Sequence, residues 1–161
     1  MFSVSLWFVS AVSSSLITTI PALAILSSCA GSKLPTASID VGGHPLTVEV
    51  AATGQARQQG LMHRDHLGAD RGMLFVYPDV AIRHFWMKDT RLPLSIAFVD
   101  ATGKVLRLAD MQPLNTDHTS SLYPVKYALE VNKGWFEQNG VLKGAVISGL
   151  DALPLPEGGP Q

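Results

Sequence analysis

Residues 94–108 read LSIAFVDATGKVLRL, and the reading of this stretch decides the fold class. Segments 95–99 and 105–108 are rich in branched and aromatic side chains. Between them, Asp100, Ala101, Thr102 and Gly103 have the composition of a tight turn, with Gly103 at positive φ. The spacing predicts a hairpin whose arms pair antiparallel. The pattern recurs at Ile39 and Val41, Gly42 and Gly43, then Leu46, Val48 and Val50, where two period-two runs flank a glycine turn and Pro45 is the weak point. Residues 73–77, 85–87, 127–131 and 146–148 are further strand candidates. Thr53 is placed to cap a short helix ending near Met62, and 133–139 read as a second short helix stopped by Gly140. Strands and helices do not alternate. The expected fold is therefore mainly β, a compact antiparallel β-sandwich or flattened barrel with one or two short helices and a long polar loop over 110–124.

Upstream of this domain the chain changes character. No charged side chain precedes Lys33, so all twelve basic and thirteen acidic residues lie from Lys33 onward. Residues 1–28 are apolar but interrupted by Ser13 to Ser15, Thr18, Thr19 and Pro21, which is marginal for a spanning helix of about 20 apolar residues. They suit a signal segment better. The tetrad Leu26, Ser27, Ser28, Cys29 ends it, and Cys29 is the only cysteine. A branched apolar residue and two small ones before a cysteine are what lipoprotein processing requires, because a thiol must attack lipid and a peptidase must fit the small side chains. The usual basic n-region is absent; an uncleaved anchor and an ordinary secretory signal are the alternatives.

The expected organisation is a signal segment over 1–28, a lipidated tether over 29–38, a β domain over 39–150, and a disordered tail over 151–161 with Pro154, Pro156 and Pro160. The expected location is extracytoplasmic and membrane-anchored. Ala30 after the cysteine points to the outer membrane in a cell with two membranes. With Cys29 lipidated, no thiol remains for a disulfide or a metal, so packing must supply stability. A net charge of −1 without a basic block argues against nucleic acid as a partner. The expected partners are the membrane, through a lipid on Cys29, and a small anionic ligand or an envelope protein.

Trp86, Lys88 and Thr90 project to one side of a strand, an indole, a cation and a hydroxyl together, with Phe85, Met87 and Asp89 on the other. Such a face could stack a ring and hold an anion. The plainer reading, preferred here, makes Trp86 core and pairs Lys88 with Glu130, which interrupts an otherwise apolar strand. His63, Asp65 and His66 flank Arg64 in an HRDH cluster. Two histidines three apart on a helical turn can share a metal, but the segment follows a helix end and lacks a third ligand, so a turn tied down by Arg64 or Asp65 is preferred and no metal is expected. His44 has no local partner. Ser120 and Ser121 near His118 lie in the polar loop, with no glycine elbow around a serine. Met62, Met73, Met87 and Met111 could suggest soft metal binding, yet their apolar neighbours make them core fillers. No cofactor is expected.

The strings GLMHR (60–64), GMLFVY (72–77), HFWMKDTRLPL (84–94) and YALEV (127–131), with residues 134–144, together resemble the DUF192, or UPF0127, family over about two thirds of the chain. The resemblance implies a small, mostly β domain, often behind a signal or lipoprotein segment, and supplies no catalytic residue. The chain departs from the family pattern at Asp89, commonly Asn, at Ser95, commonly Asp, and at Ala145, commonly Asp. The leading expectation is a non-catalytic binding or interaction module with Trp86, Lys88, Thr90, Arg64 and Glu130 as ligand-binding candidates. The alternative is a cell-envelope hydrolase using Lys88, Glu130 and a histidine.

Overall fold

The computed structural model describes residues 33–154 and 156. Within them the chain forms β1 (Thr36–Val41), β2 (His44–Ala51), α1 (Gly54–Gln59), β3 (Arg71–Ala81), β4 (His84–Phe85), β5 (Leu94–Val99), β6 (Val105–Met111), β7 (Thr119–Ser120), β8 (Val125–Asn132), α2 (Trp135–Gln138) and β9 (Ile147–Ser148). Seven strands make one sheet in the order β6-β5-β8-β3-β2-β1-β9, while β4 and β7 pair as a separate ribbon. The expected Cys29 lipidation site, the signal segment and most of the proline-rich tail fall outside the described residues.

One segment joins the two ends of the sheet. Ile147 and Ser148 pair with Val41 and Asp40 on one edge. Val105 N–H donates to Ala145 O at 2.9 Å, and Ile147 N–H donates to Gly103 O at 2.8 Å, next to the other edge. The sheet thereby curls into a half-barrel, the flattened-barrel form of the expected mainly β class. Gly103 is essential to the seam. Its φ is +86, and a Cβ there would collide with the Ile147 carbonyl oxygen.

Alternate residues of the central strands feed two cores. Leu94, Ile96 and Phe98 of β5 join Met73, Phe75, Phe85 and Met87 on one side, while Ala97 and Val99 join Val48, Leu74, Trp135 and Phe136 on the other. β5 is consequently buried at every position, which explains its continuous apolar run. The predicted hairpins form: β5 pairs antiparallel with β6, and β1 with β2 around Gly42 and Gly43. Thr53 Oγ1 accepts from Ala56 N–H at 3.0 Å and starts α1 as expected.

Four expectations need correction. β2 and β3 are parallel, because α1 and the following turn carry the chain across from the end of one to the start of the other. The first strand begins at Thr36, with Val50 N–H donating to Pro35 O at 2.8 Å, so order starts before the tether's expected end. Residues 110–124 are not one loop: β6 runs to Met111, and β7 pairs with β4. At the C-terminal side Leu150–Ala152 form a 3-10 turn, and Leu150 and Leu153 pack on the second of the two cores.

Candidate functional site

Glu130 is in the middle of β8, opposite Met73 of β3 and Ile96 of β5, so its side chain shares the face that those two fully buried residues occupy. It is 4% exposed. Burial pushes its pKa up to about 8. The carboxyl therefore carries its proton at neutral pH. It lines a cavity of about 30 Å³ together with Arg57, Leu61, Met62, Phe75, Phe85, Trp86 and Thr90.

The walls are rigid for identifiable reasons. Phe85 meets Phe75 and Phe98 edge-on, with ring centroids 5.0 and 5.7 Å apart. Arg57 Nη1 donates to Ala52 O at 2.5 Å and to Val76 O at 2.9 Å, fastening α1 to the end of β2 and the middle of β3. Tyr77 stands nearby between Arg57 and Arg83, and burial pushes its phenol pKa up to about 12. Thr90 is buried, and its Oγ1 donates to Lys88 O at 3.2 Å.

Trp86 is half-exposed at the rim. Its ring stacks on His118 with centroids 5.9 Å apart and planes 16° from parallel, and His84 meets His118 edge-on at 6.0 Å. Lys88 Nζ lies 5.5 Å from the indole centroid.

This arrangement overturns the shared face expected for Trp86, Lys88 and Thr90. The strand ends at Phe85, and Asp89 takes a left-handed φ of +53, so alternation stops where it would have put Lys88 beside Thr90. Trp86 and Thr90 line the cavity with Glu130, whereas Lys88 is exposed and outside its lining. Trp86 is rim rather than core. The expected Lys88–Glu130 ion pair is not formed. No histidine lines the cavity among the described residues, so the Lys88, Glu130 and histidine set of the hydrolase alternative is not assembled there.

Arg64 acts elsewhere. Its Nη1 and Nη2 donate to Glu49 Oε1 and Oε2 at 2.5 and 2.7 Å, a two-pronged contact that lowers the Glu49 pKa and ties the segment after α1 to β2. Arg91 Nη1 likewise holds Asp65 Oδ1 at 2.7 Å. His63 has φ +63, so the helical spacing that would aim His63 and His66 at one metal is absent. His44, with no partner near it in sequence, meets Trp135 edge-on at 6.4 Å across the fold. Met73, Met87 and Met111 are buried together in the core beneath the cavity. Sequence reasoning missed Arg57, Phe75 and Phe85 as lining residues. The signal that was available, an acid in an apolar strand, identified Glu130 but gave it the wrong neighbour.

The DUF192 model, described as an uncharacterized ACR, matches residues 37–149. The chain belongs to the DUF192 family. Among solved structures, a candidate transcription regulator from Sinorhizobium meliloti 1021 is 32% identical, with a TM-score of 0.70 over 72% of this chain and 95% of that one. A protein of unknown function from Novosphingobium aromaticivorans DSM 12444 is 28% identical, with a TM-score of 0.69 over 74% of this chain and 89% of that one. No curated protein matches. In this DUF192 domain the serine at position 95 keeps a carboxylate close by. Ser95 Oγ donates to Asp110 Oδ1 of the facing strand at 2.6 Å and accepts from Gly134 N–H at 3.0 Å, at the start of α2.

Proposed function

We propose that this DUF192 protein is a lipid-anchored, extracytoplasmic binding module without catalysis, whose ligand presents a hydrogen-bond acceptor, a carboxylate or carbonyl, to the protonated carboxyl of Glu130. The observation that carries the reading is a buried acid, kept neutral by its burial, that lines a cavity. Placing a carboxyl among apolar side chains costs stability, so one retained beside a cavity calls for a purpose. As a neutral acid it donates a hydrogen bond without requiring a counter-charge. At about 30 Å³ the cavity has the size for a small functional group. The remainder of the ligand would lie across Trp86, where Lys88 above the indole and Arg57 in the wall favour a negative end. Lipid anchoring is supported by Leu26 to Cys29, and the near-neutral charge gives no footing for nucleic acid.

The test uses the full chain, carried in detergent, against a panel of small carboxylates and amides read by thermal shift and tryptophan fluorescence. Acceptor-bearing compounds should raise the melting temperature of wild type and of Lys88→Ala, more weakly for the latter, and leave Glu130→Leu unchanged. An unresponsive wild type, or a Glu130→Leu variant that responds equally, would sink the proposal. Separately, a fatty-acid probe should label wild type and not Cys29→Ser. Equal labelling removes the lipid anchor from the reading.

A further inference from the structure

The chain enters the sheet at Pro35, whose carbonyl accepts from Val50 N–H at 2.8 Å. Val50 is level with Leu74, and Leu74 with Leu129 of β8. Ala81 is level with Val125, four residues further along β8 and about 13 Å beyond the entry point at the usual strand rise. Val80 and Ile82 stand there beside Leu122 and Tyr123, because Arg83 N–H donates to Ser121 Oγ at 2.9 Å and Ser121 N–H donates to Arg83 O at 2.8 Å.

These four apolar side chains are between 44% and 61% exposed. A contiguous exposed apolar patch marks a contact surface. Leu122 is held at φ +61, a strained conformation for leucine, with its side chain turned to solvent. Cations surround the tip. Arg83 lies over the Tyr77 ring at 4.0 Å, Lys126 Nζ donates to Pro78 O at 2.8 Å, and Lys143 Nζ is 5.2 Å from the Tyr123 centroid. Asp79, paired with Arg83 at 2.7 Å, is the carboxylate beside them. Aliphatic side chains, a tyrosine and basic residues are what bilayer–water interfaces attract.

Chain length adds the occupant. Cys29 precedes Pro35 by six residues, a reach of up to about 20 Å, which exceeds the height of the tip above Pro35. A lipid on Cys29 and the tip can therefore meet the same membrane surface. We propose that the tip formed by Val80, Ile82, Leu122 and Tyr123 rests in the headgroup region of the membrane that holds the lipid. The inference relies on the Cys29 lipidation reading and adds to it a fixed orientation of the domain.

The test places the full chain in vesicles of phosphatidylethanolamine and phosphatidylglycerol that contain a phospholipid with a photoactivatable acyl chain, and maps the cross-links by mass spectrometry. Wild type should be labelled within 78–84 and 121–124. Ile82→Asp with Leu122→Asp should lower that labelling about tenfold, as expected for charges on a membrane-facing surface, with an unchanged melting temperature. Leu122→Gly, which relieves the strained φ, serves as a second variant that folds and should also lower it. A tip labelled no more than the rest of the domain, or occupied by a second copy of the chain, overturns the proposal. Labelling of the tip is read independently of the fatty-acid probe on Cys29. A tip that cross-links without acylation refutes the lipid anchor alone, and an acylated chain with an unlabelled tip refutes the tip alone.

Discussion

His63 donates its backbone N–H to the carbonyl of Asp89 at 2.8 Å, and both residues are left-handed, with φ +63 and +53. Two strained turns, one following α1 and one following β4, are thus joined backbone to backbone. Met62 and Thr90, the neighbours of the joined pair, both line the Glu130 cavity, so the join fixes its outer wall. Left-handed conformations for ordinary residues cost of order 1 kcal/mol and persist only where the surroundings enforce them.

Asp89→Gly should consequently keep or raise stability, by up to about 1 kcal/mol, whereas Asp89→Val should lose about 2 kcal/mol or more because a β-branched side chain is poorly accommodated at positive φ. Urea denaturation of the two variants provides the comparison. Equal stability for both would mean that the turn adjusts freely.

Glu130 sets a pH dependence whose sign is fixed by its raised pKa. The unfolded glutamate releases its proton near 4.5 and the folded one near 8, so between these values the native state binds more protons. Stability from this residue is full below about 4.5, falls as pH rises through that window and levels off above about 8, a total change on the order of a few kcal/mol. Glu130→Gln should remove this slope. Denaturation midpoints of both proteins from pH 5 to pH 9 check it, and parallel curves would rule out the buried acid as the source. Glu49, held low by the hydrogen bond from Arg64, acts the opposite way at acid pH, where its contribution is lost as pH falls.

Lys88 and Glu130 should prove energetically independent. Lys88 is exposed and makes no ion pair among the described residues, so Lys88→Ala is expected to change stability by less than about 0.5 kcal/mol. A double-mutant cycle with Glu130→Ala should give a coupling within about 0.5 kcal/mol of zero. Coupling of several kcal/mol would restore the pairing expected from sequence.

Gly103→Ala tests the seam. The substitution combines a φ of +86 with a collision against the Ile147 carbonyl oxygen, and should cost about 2 kcal/mol or more. Hydrogen exchange should accelerate at Ile147 N–H, which donates to Gly103 O, before it does at the centre of β5. Unaltered exchange at Ile147 would mean that the half-barrel does not depend on this closure.

Local chemistry in the sequence determined the hairpins around Gly42 and Gly103, the Thr53 cap, the mainly β class and the unusual character of Glu130, because turn composition, capping and an acid among apolar residues are short-range signals. The parallel pairing of β2 with β3 was decided by tertiary structure, since neither strand encodes its neighbour and both feed two cores at once. The surroundings of Glu130 were decided in the same way. Alternation along 84–90 holds only while the backbone stays extended, and the left-handed Asp89 is fixed by a hydrogen bond from His63, a residue 26 positions away that no local pattern links to it.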